Sequence, residues 1–235
     1  MTNSEKNGRK HGGREGESCH DAGPLLEKGF RLLFWVKVPM TITTIADVLF
    51  FLVLIPVLYR LALLTGAVCA MVYGLILMQL KAADIRYRRA GICMVIFAAG
   101  NGLAASFPVS SDTFIWTFGI ASAACVSALM GMYCEFHAHG EVLREADRIL
   151  AEKWKKLWPW CVGMYAGMEG CIVICRVNAV LGLLVGLIAS VGSIVVSITR
   201  LMYLGRGAKG LRKLPNPAEK EKENVERNQG NEMRL

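Results

Sequence analysis

Three polar residues lie deep in apolar sequence, where a group that binds a cation or passes a proton would have to sit. They are Asp47, Asn101 and Glu169. Counted from the N-terminal end of its run, each is about nine to eleven residues in, or about 14–16 Å along a helix. The hydrocarbon core of a bilayer is about 30 Å thick, so all three approach its middle. A carboxylate at that depth must be neutral, paired or wetted. If the helices bring them together, the three form a candidate ion or proton site. The other reading is local. Glu169 would be protonated and bonded to a carbonyl or hydroxyl, and Asp47 would use Thr43 and Thr44, three and four residues earlier on the same face.

A second group is Glu135-Phe136-His137-Ala138-His139-Gly140-Glu141. His137 and Glu141 share one helix face, and Glu135 and His139 share another. A continuous helix aims the two histidines apart, so His137, His139 and Glu141 are weak metal candidates unless Gly140 breaks the helix. No HExxH is present, and the zinc-protease pattern fails. A pH-sensitive surface cluster or a plain solvated helix start are the competing readings. No cofactor is expected.

The elements that must carry these residues follow from length. From Val38 to Leu80 the only charges are Asp47 and Arg60. That is about 64 Å of helix, whereas one crossing takes about 20 residues. The run therefore folds into two spans with Arg60 at the turn. Pro159 to Leu204 likewise makes two, turning at Arg176-Val177-Asn178. Ala90–Phe107 and Phe114–Cys134 are single runs, divided by Phe107-Pro108 and an N-cap in Ser110-Ser111-Asp112. Six spans result, at about 38–59, 61–80, 90–107, 114–134, 159–175 and 178–204. Residues 25–37 read as a separate interfacial helix, with Pro39 opening the next one. Residues 1–24 and the end of the 205–235 tail are polar and read as disordered.

Charge gives the orientation. The chain has 235 residues, is 54% hydrophobic and carries a net charge of +8. With the N-terminus inside, 25 of the 27 Lys and Arg residues fall in inner segments, and only Arg60 and Arg176 lie outside. That bias places both termini in the cytoplasm and explains the basic charge without nucleic acid. Trp35, Trp154, Trp158 and Trp160 fall at the inner boundary and Trp116 at the outer one, as an aromatic belt. Arg206, Lys209, Arg212 and Lys213 follow the last span and are candidate contacts for anionic lipid headgroups.

Phe136, Leu143, Leu150 and Leu157 recur every seven residues, so 135–158 reads as one amphipathic inner helix lying on the membrane or on the protein's own bundle. Ala179, Gly182, Gly186, Ser190, Ser193 and Ser197 make a small-residue face on span six, and Gly163, Gly167, Cys171 and Cys175 make one on span five. Such faces let helices approach closely, within the chain or between copies. The eight cysteines form no CxxC pair and read as small packing residues. Tyr73, Tyr133 and Tyr203, near the inner ends of spans two, four and six, hint at three related hairpins. Walker A, GxSxG, Rossmann and TVGYG-like motifs are absent.

LFWVKVP, RYRRAGICMVI, EFHAHGEVL, EKWKKLWPW and SITRLMYLGRGAKGLRK occur together in this chain. Through them, over about residues 30–213, it resembles a family of small multi-pass membrane proteins of anaerobic bacteria for which no activity is known. The resemblance implies a bacterial cytoplasmic membrane and transfers no catalytic role. The expectation is an all-α, polytopic membrane helical bundle of six transmembrane helices with cytoplasmic amphipathic helices. Its expected role is non-catalytic, as a membrane scaffold or regulatory protein with a homo-oligomeric or membrane-protein partner. The alternatives are a small ion- or proton-coupled transporter or channel using Asp47 and Glu169, and a membrane metalloenzyme.

Overall fold

The computed structural model describes residues 23–53, 56–107, 111–144 and 146–212, with side chains at all of these except 23–24, 47–53, 56–60 and 111–114. The side chains of Asp47 and Arg60, the residues at 108–110, Lys213 and both tails lie outside that set. Six α-helices account for nearly all of the described residues: α1 Gly23–Val53, α2 Pro56–Gln79, α3 Ile85–Ser106, α4 Ser111–Val142, α5 Arg148–Val177 and α6 Ala179–Leu211, with one 3-10 turn at Leu80–Ala82. Each helix packs on its neighbours in sequence, and α1 packs back on α6. Short connections make the helices alternate in direction. The result is three hairpins closed into a ring. The starts of α1, α3 and α5 and the ends of α2, α4 and α6 share one end of it.

Among the described residues five helices are long and apolar enough to cross a membrane: Leu61–Ala82, Ile85–Ser106, Ile115–Val142, Arg148–Val177 and Ala179–Leu211. The chain is thus an all-α, multi-pass membrane bundle. Its outside is apolar; Ile115, Val180 and Ile188, among many others, are exposed. A surface of that kind is stable against lipid chains and would associate in water.

Caps set several boundaries. Asp84 accepts from the Arg86 amide at 2.7 Å to start α3, and Asp147 accepts from the Leu150 amide at 3.0 Å to start α5. Asn178 accepts from the Leu181 amide at 3.1 Å, so the turn expected at Arg176-Val177-Asn178 is present. Each cap satisfies an orphan donor of the first turn.

Three expectations are corrected. Residues 25–37 are not a separate helix, because α1 runs unbroken through Pro39. Pro159 lies inside α5 in the same way. A proline removes one helical hydrogen bond. Here the freed carbonyls belong to Trp35 and Lys155, both exposed residues near the entry to the helix. Residues 135–158 are not one helix either. The chain leaves α4 after Val142, and Asp147 takes an extended cap conformation before α5. Gly140 does not break α4; a Cβ there would stand 2.8 Å from Lys155 Cε, so its role is to admit α5. Phe136, Leu143, Leu150 and Leu157 are all buried. The heptad stripe lies on the protein's own core, shared between two helices and a turn. Finally, Trp154 is fully buried and belongs to no aromatic belt, whereas Trp35, Trp116 and Trp160 are exposed.

The core is uneven along the ring axis. At the end bearing the start of α1 it holds Phe30, Leu33, Tyr73, Tyr87, Phe136 and Trp154, none measurably exposed. Towards the other end the buried positions are small: Ala62, Ala67, Ala124, Gly182, Gly186 and Ala189. The small-residue faces meet there. A Cβ at Gly186 would stand 3.2 Å from Cys171 Sγ, one at Gly167 would stand 3.0 Å from the Ala189 Cβ, and one at Gly182 would collide with Cys175. Gly163 has nothing within 4 Å and takes no part.

Candidate functional site

The large-residue end of the core encloses charge. Glu135 on α4 is fully buried, and so are His139 one turn later, Tyr73 on α2 and Tyr87 on α3. Arg200 on α6 is 5% exposed and Lys37 on α1 is 4% exposed. Trp154 from α5 completes a cluster to which all six helices contribute.

Glu135 is its centre. Arg200 Nη2 donates to both carboxylate oxygens, at 3.0 and 2.9 Å. Tyr73 Oη donates to Oε1 at 2.6 Å. His139 Nε2 stands 3.5 Å from the same oxygen, while its Nδ1 is 2.8 Å from Tyr87 Oη. A proton on Nε2 suits both contacts, since the tyrosine can then donate to Nδ1 while Nε2–H faces the carboxylate. Side chains of α2, α4 and α6, alternate members of the ring, thus meet at its axis. The tyrosine bond is short, as expected where the acceptor is ionised.

Aromatic rings wall the cluster. Phe30, Tyr87 and Trp154 stand 4.7, 5.3 and 4.6 Å from the His139 ring. Arg200 Cζ lies 5.0 Å from the Phe136 ring centre, and Lys37 Nζ lies 5.7 Å from that of Tyr73. Such cation–π contacts are strongest where water is excluded. Chemically the arrangement is a buried lock: it ties three helices through one carboxylate and costs heavily if either charge is lost.

Of the residues singled out in the sequence, His139 joins this cluster, while Asn101, Glu169, His137 and Glu141 lie outside it. Asn101 is half-buried on α3. Glu169 on α5 faces α4, where Ser122 Oγ donates to its Oε2 at 3.1 Å and the Cys125 thiol lies beside it. Thr43 and Thr44 give their hydroxyl protons to the Met40 carbonyl, at 2.8 and 2.9 Å. α1, which carries Asp47, packs on α2 and α6, while Glu169 turns towards α4. The third member of the expected site, Asp47, has its side chain outside the described residues.

The metal candidates also diverge. His137 Nδ1 is 2.9 Å from the Tyr133 carbonyl. Glu141 accepts from Lys155 Nζ at 2.7 Å. His139 points into the core. Among the described residues no group of three or more His, Cys, Asp or Glu is placed to hold a metal ion. Arg206, Lys209 and Arg212 are exposed on the last turns of α6 and beyond. Tyr73, Tyr133 and Tyr203 differ in setting: the first is buried, the second exposed and the third half-buried.

Sequence reasoning missed Glu135, Arg200, Tyr73 and Tyr87 as a unit. One signal was available. Arg200 lies inside the last apolar run, and an arginine within a span needs a buried partner. Compared with protein-family models, with curated proteins and with solved structures, the chain matches none.

Proposed function

We propose that the chain is a non-catalytic protein of a bacterial cell membrane, a scaffold or regulatory component that works through contacts and not turnover. Enclosure is the observation that carries this. Glu135, His139, Arg200, Tyr73 and Tyr87 are the polar side chains that the fold gathers in one place, and they are buried against one another. A catalytic acid or base must reach a substrate within hydrogen-bond distance, and these five are walled off by rings. In this reading α1 is a sixth span and both termini are cytoplasmic. Arg86, Arg88, Arg89, Lys209 and Arg212 are exposed at the end that carries the start of α1 and the end of α6, which fits the positive-inside pattern. The basic rim then meets anionic headgroups, at about 1 kcal/mol per residue.

Reconstitution of the whole chain tests the reading. Proteoliposomes are expected to show no proton, sodium or potassium flux above empty vesicles. In nanodiscs the triple change Arg206→Gln/Lys209→Gln/Arg212→Gln is expected to lower thermal stability with phosphatidylglycerol present and not in phosphatidylcholine alone. The second reading, a small transporter or channel, rests on Glu169. Its half-buried carboxylate lies mid-helix with a serine donor. A cation flux that Glu169→Gln abolishes would overturn the first reading in favour of the second.

A further inference from the structure

The seam between α4 and α5 carries three rings in a row. His137 and Tyr133, one turn apart on α4, stand 4.1 Å from ring centre to ring centre. The Trp158 ring of α5 meets Tyr133 edge-on at 5.3 Å. Two bonds pin the row. Trp158 Nε1 donates to the Leu129 carbonyl at 3.4 Å, and His137 Nδ1 lies 2.9 Å from the Tyr133 carbonyl. A carbonyl can only accept, so Nδ1 carries the proton. In the neutral ring Nε2 is then a bare lone pair.

The row also has a defined depth. Towards the middle of α4, Val126 and Met130 are 62% and 56% exposed, a surface made for lipid chains. One turn beyond His137, Glu141 accepts from Lys155 Nζ at 2.7 Å, and both side chains reach the surface. Between those levels lies the zone of lipid headgroups, where amphipathic rings collect. Tyr133 is exposed and His137 and Trp158 are half-buried there, so headgroups are the groups that meet them.

What the row offers is selective. A lone pair calls for a hydrogen-bond donor, and the negative face of an aromatic ring attracts a cation. Lys155, which crosses α4 at Gly140, is already paired with Glu141. A phosphate therefore answers neither demand. A quaternary ammonium answers the second only, because it has no N–H. A primary ammonium answers both.

We propose that His137, Tyr133 and Trp158 form a site for the primary ammonium of a phosphatidylethanolamine headgroup. His137 Nε2 accepts one N–H, and the Tyr133 and Trp158 rings stand beside the charge. A lipid held there bridges α4 and α5. The inference rests on the bundle's lying in a bilayer and on neither role proposed above.

The full chain in detergent is titrated with dioleoyl phosphatidylethanolamine, with its N,N-dimethyl form and with dioleoyl phosphatidylcholine. Bound lipid is counted by native mass spectrometry. These lipids differ only in methylation of the nitrogen, and the dimethyl form keeps one N–H. We expect the first two to bind about tenfold more tightly than phosphatidylcholine, the factor that one hydrogen bond to a charged donor supplies. His137→Phe keeps a ring, removes the lone pair and should abolish the preference, whereas Lys209→Gln/Arg212→Gln should leave it intact. Equal binding of all three lipids by the wild type, or an undiminished preference in His137→Phe, overturns the proposal. Should His137→Phe not fold, the methylation series on the wild-type chain decides. A break between the dimethyl and trimethyl forms upholds the acceptor, and a break elsewhere or none removes it.

Discussion

At the scale of single residues, Glu135 makes the strongest demand. Its carboxylate holds Arg200, Tyr73 and the edge of His139 in a place that water does not reach. Glu135→Gln leaves Arg200 buried without its counter-charge, and losing one partner of such a pair costs about 3–5 kcal/mol. Replacing both partners, Glu135→Met with Arg200→Met, removes the two charges together and is expected to cost much less than the sum of the single changes. Tyr73→Phe removes only a bond to the carboxylate, worth about 1.5–3 kcal/mol. Unfolding of the wild type, Glu135→Met, Arg200→Met and the double variant in one detergent gives the cycle, and simple additivity would show that the pair is not coupled. Tryptophan offers a second test. Trp116 is exposed and Trp154 is not, so brominated lipid should lose part of its quenching in Trp116→Phe and none in Trp154→Phe. This scale was the least legible in the sequence. Glu135 and Arg200 are 65 positions apart, and nothing in either local pattern names the other. Arg200 read as one more basic residue at the end of a span, and Trp154 as one more interfacial ring. Both assignments fail for one reason: burial is decided by which helices meet, and spacing along one helix does not contain that.

Helix crossings are the next level, and small residues govern them. A Cβ at Gly182 would meet the backbone nitrogen of Cys175 at 2.6 Å, and one at Gly91 would meet the Gly74 carbonyl at 2.5 Å. Backbone cannot swing aside as a flexible side chain can, so Gly182→Ala and Gly91→Ala each force neighbouring helices apart, at about 1–3 kcal/mol. Gly163→Ala meets nothing and should gain up to about 1 kcal/mol of helix propensity. Equal effects at all three sites would mean that these crossings do not set the packing. This level was partly legible. The stripe Gly182, Gly186 and Cys171 was visible at helical spacing, and the Asn178 turn was visible as a polar break. The Gly74–Gly91 crossing was not, because one glycine on each helix makes no stripe. Pro39 and Pro159 misled in the same direction. A proline is a good boundary signal in water, yet within a membrane helix its missing bond is tolerated, and both helices continue through it. The seven-residue stripe over 135–158 gave the buried face correctly and the continuity wrongly. Asp147 supplied an N-cap in mid-segment, and cap chemistry outranks periodicity where the two compete.

Taken whole, the molecule is a ring, and closure is what the ring adds to three hairpins. The contact of α1 with α6 joins the first and last helices, so the chain between α3 and α4 is not what holds the two halves together. Cutting the connection between Ser106 and Ser111 leaves one piece with α1–α3 and another with α4–α6. Two seams remain between them, α3 on α4 and α1 on α6. Across the cut the cluster contributes Tyr73 to Glu135 and Tyr87 to His139, both fully buried bonds, while Arg200 and Glu135 stay in the same piece. The two halves, co-expressed in one membrane with a tag on the first, are therefore expected to copurify as a one-to-one complex. Tyr73→Phe with Tyr87→Phe should weaken the complex without separating it, because the apolar seams persist. Opening the α1–α6 seam should do more. Gly205 stands with its Cβ direction 3.4 Å from the Phe34 ring, and Gly205→Trp would wedge that seam apart and leave α3 on α4 as the only join. If the halves never associate, or if Gly205→Trp changes nothing, the ring is not closed in the membrane. The buried cluster would then be open along the α1–α6 seam to lipid and water.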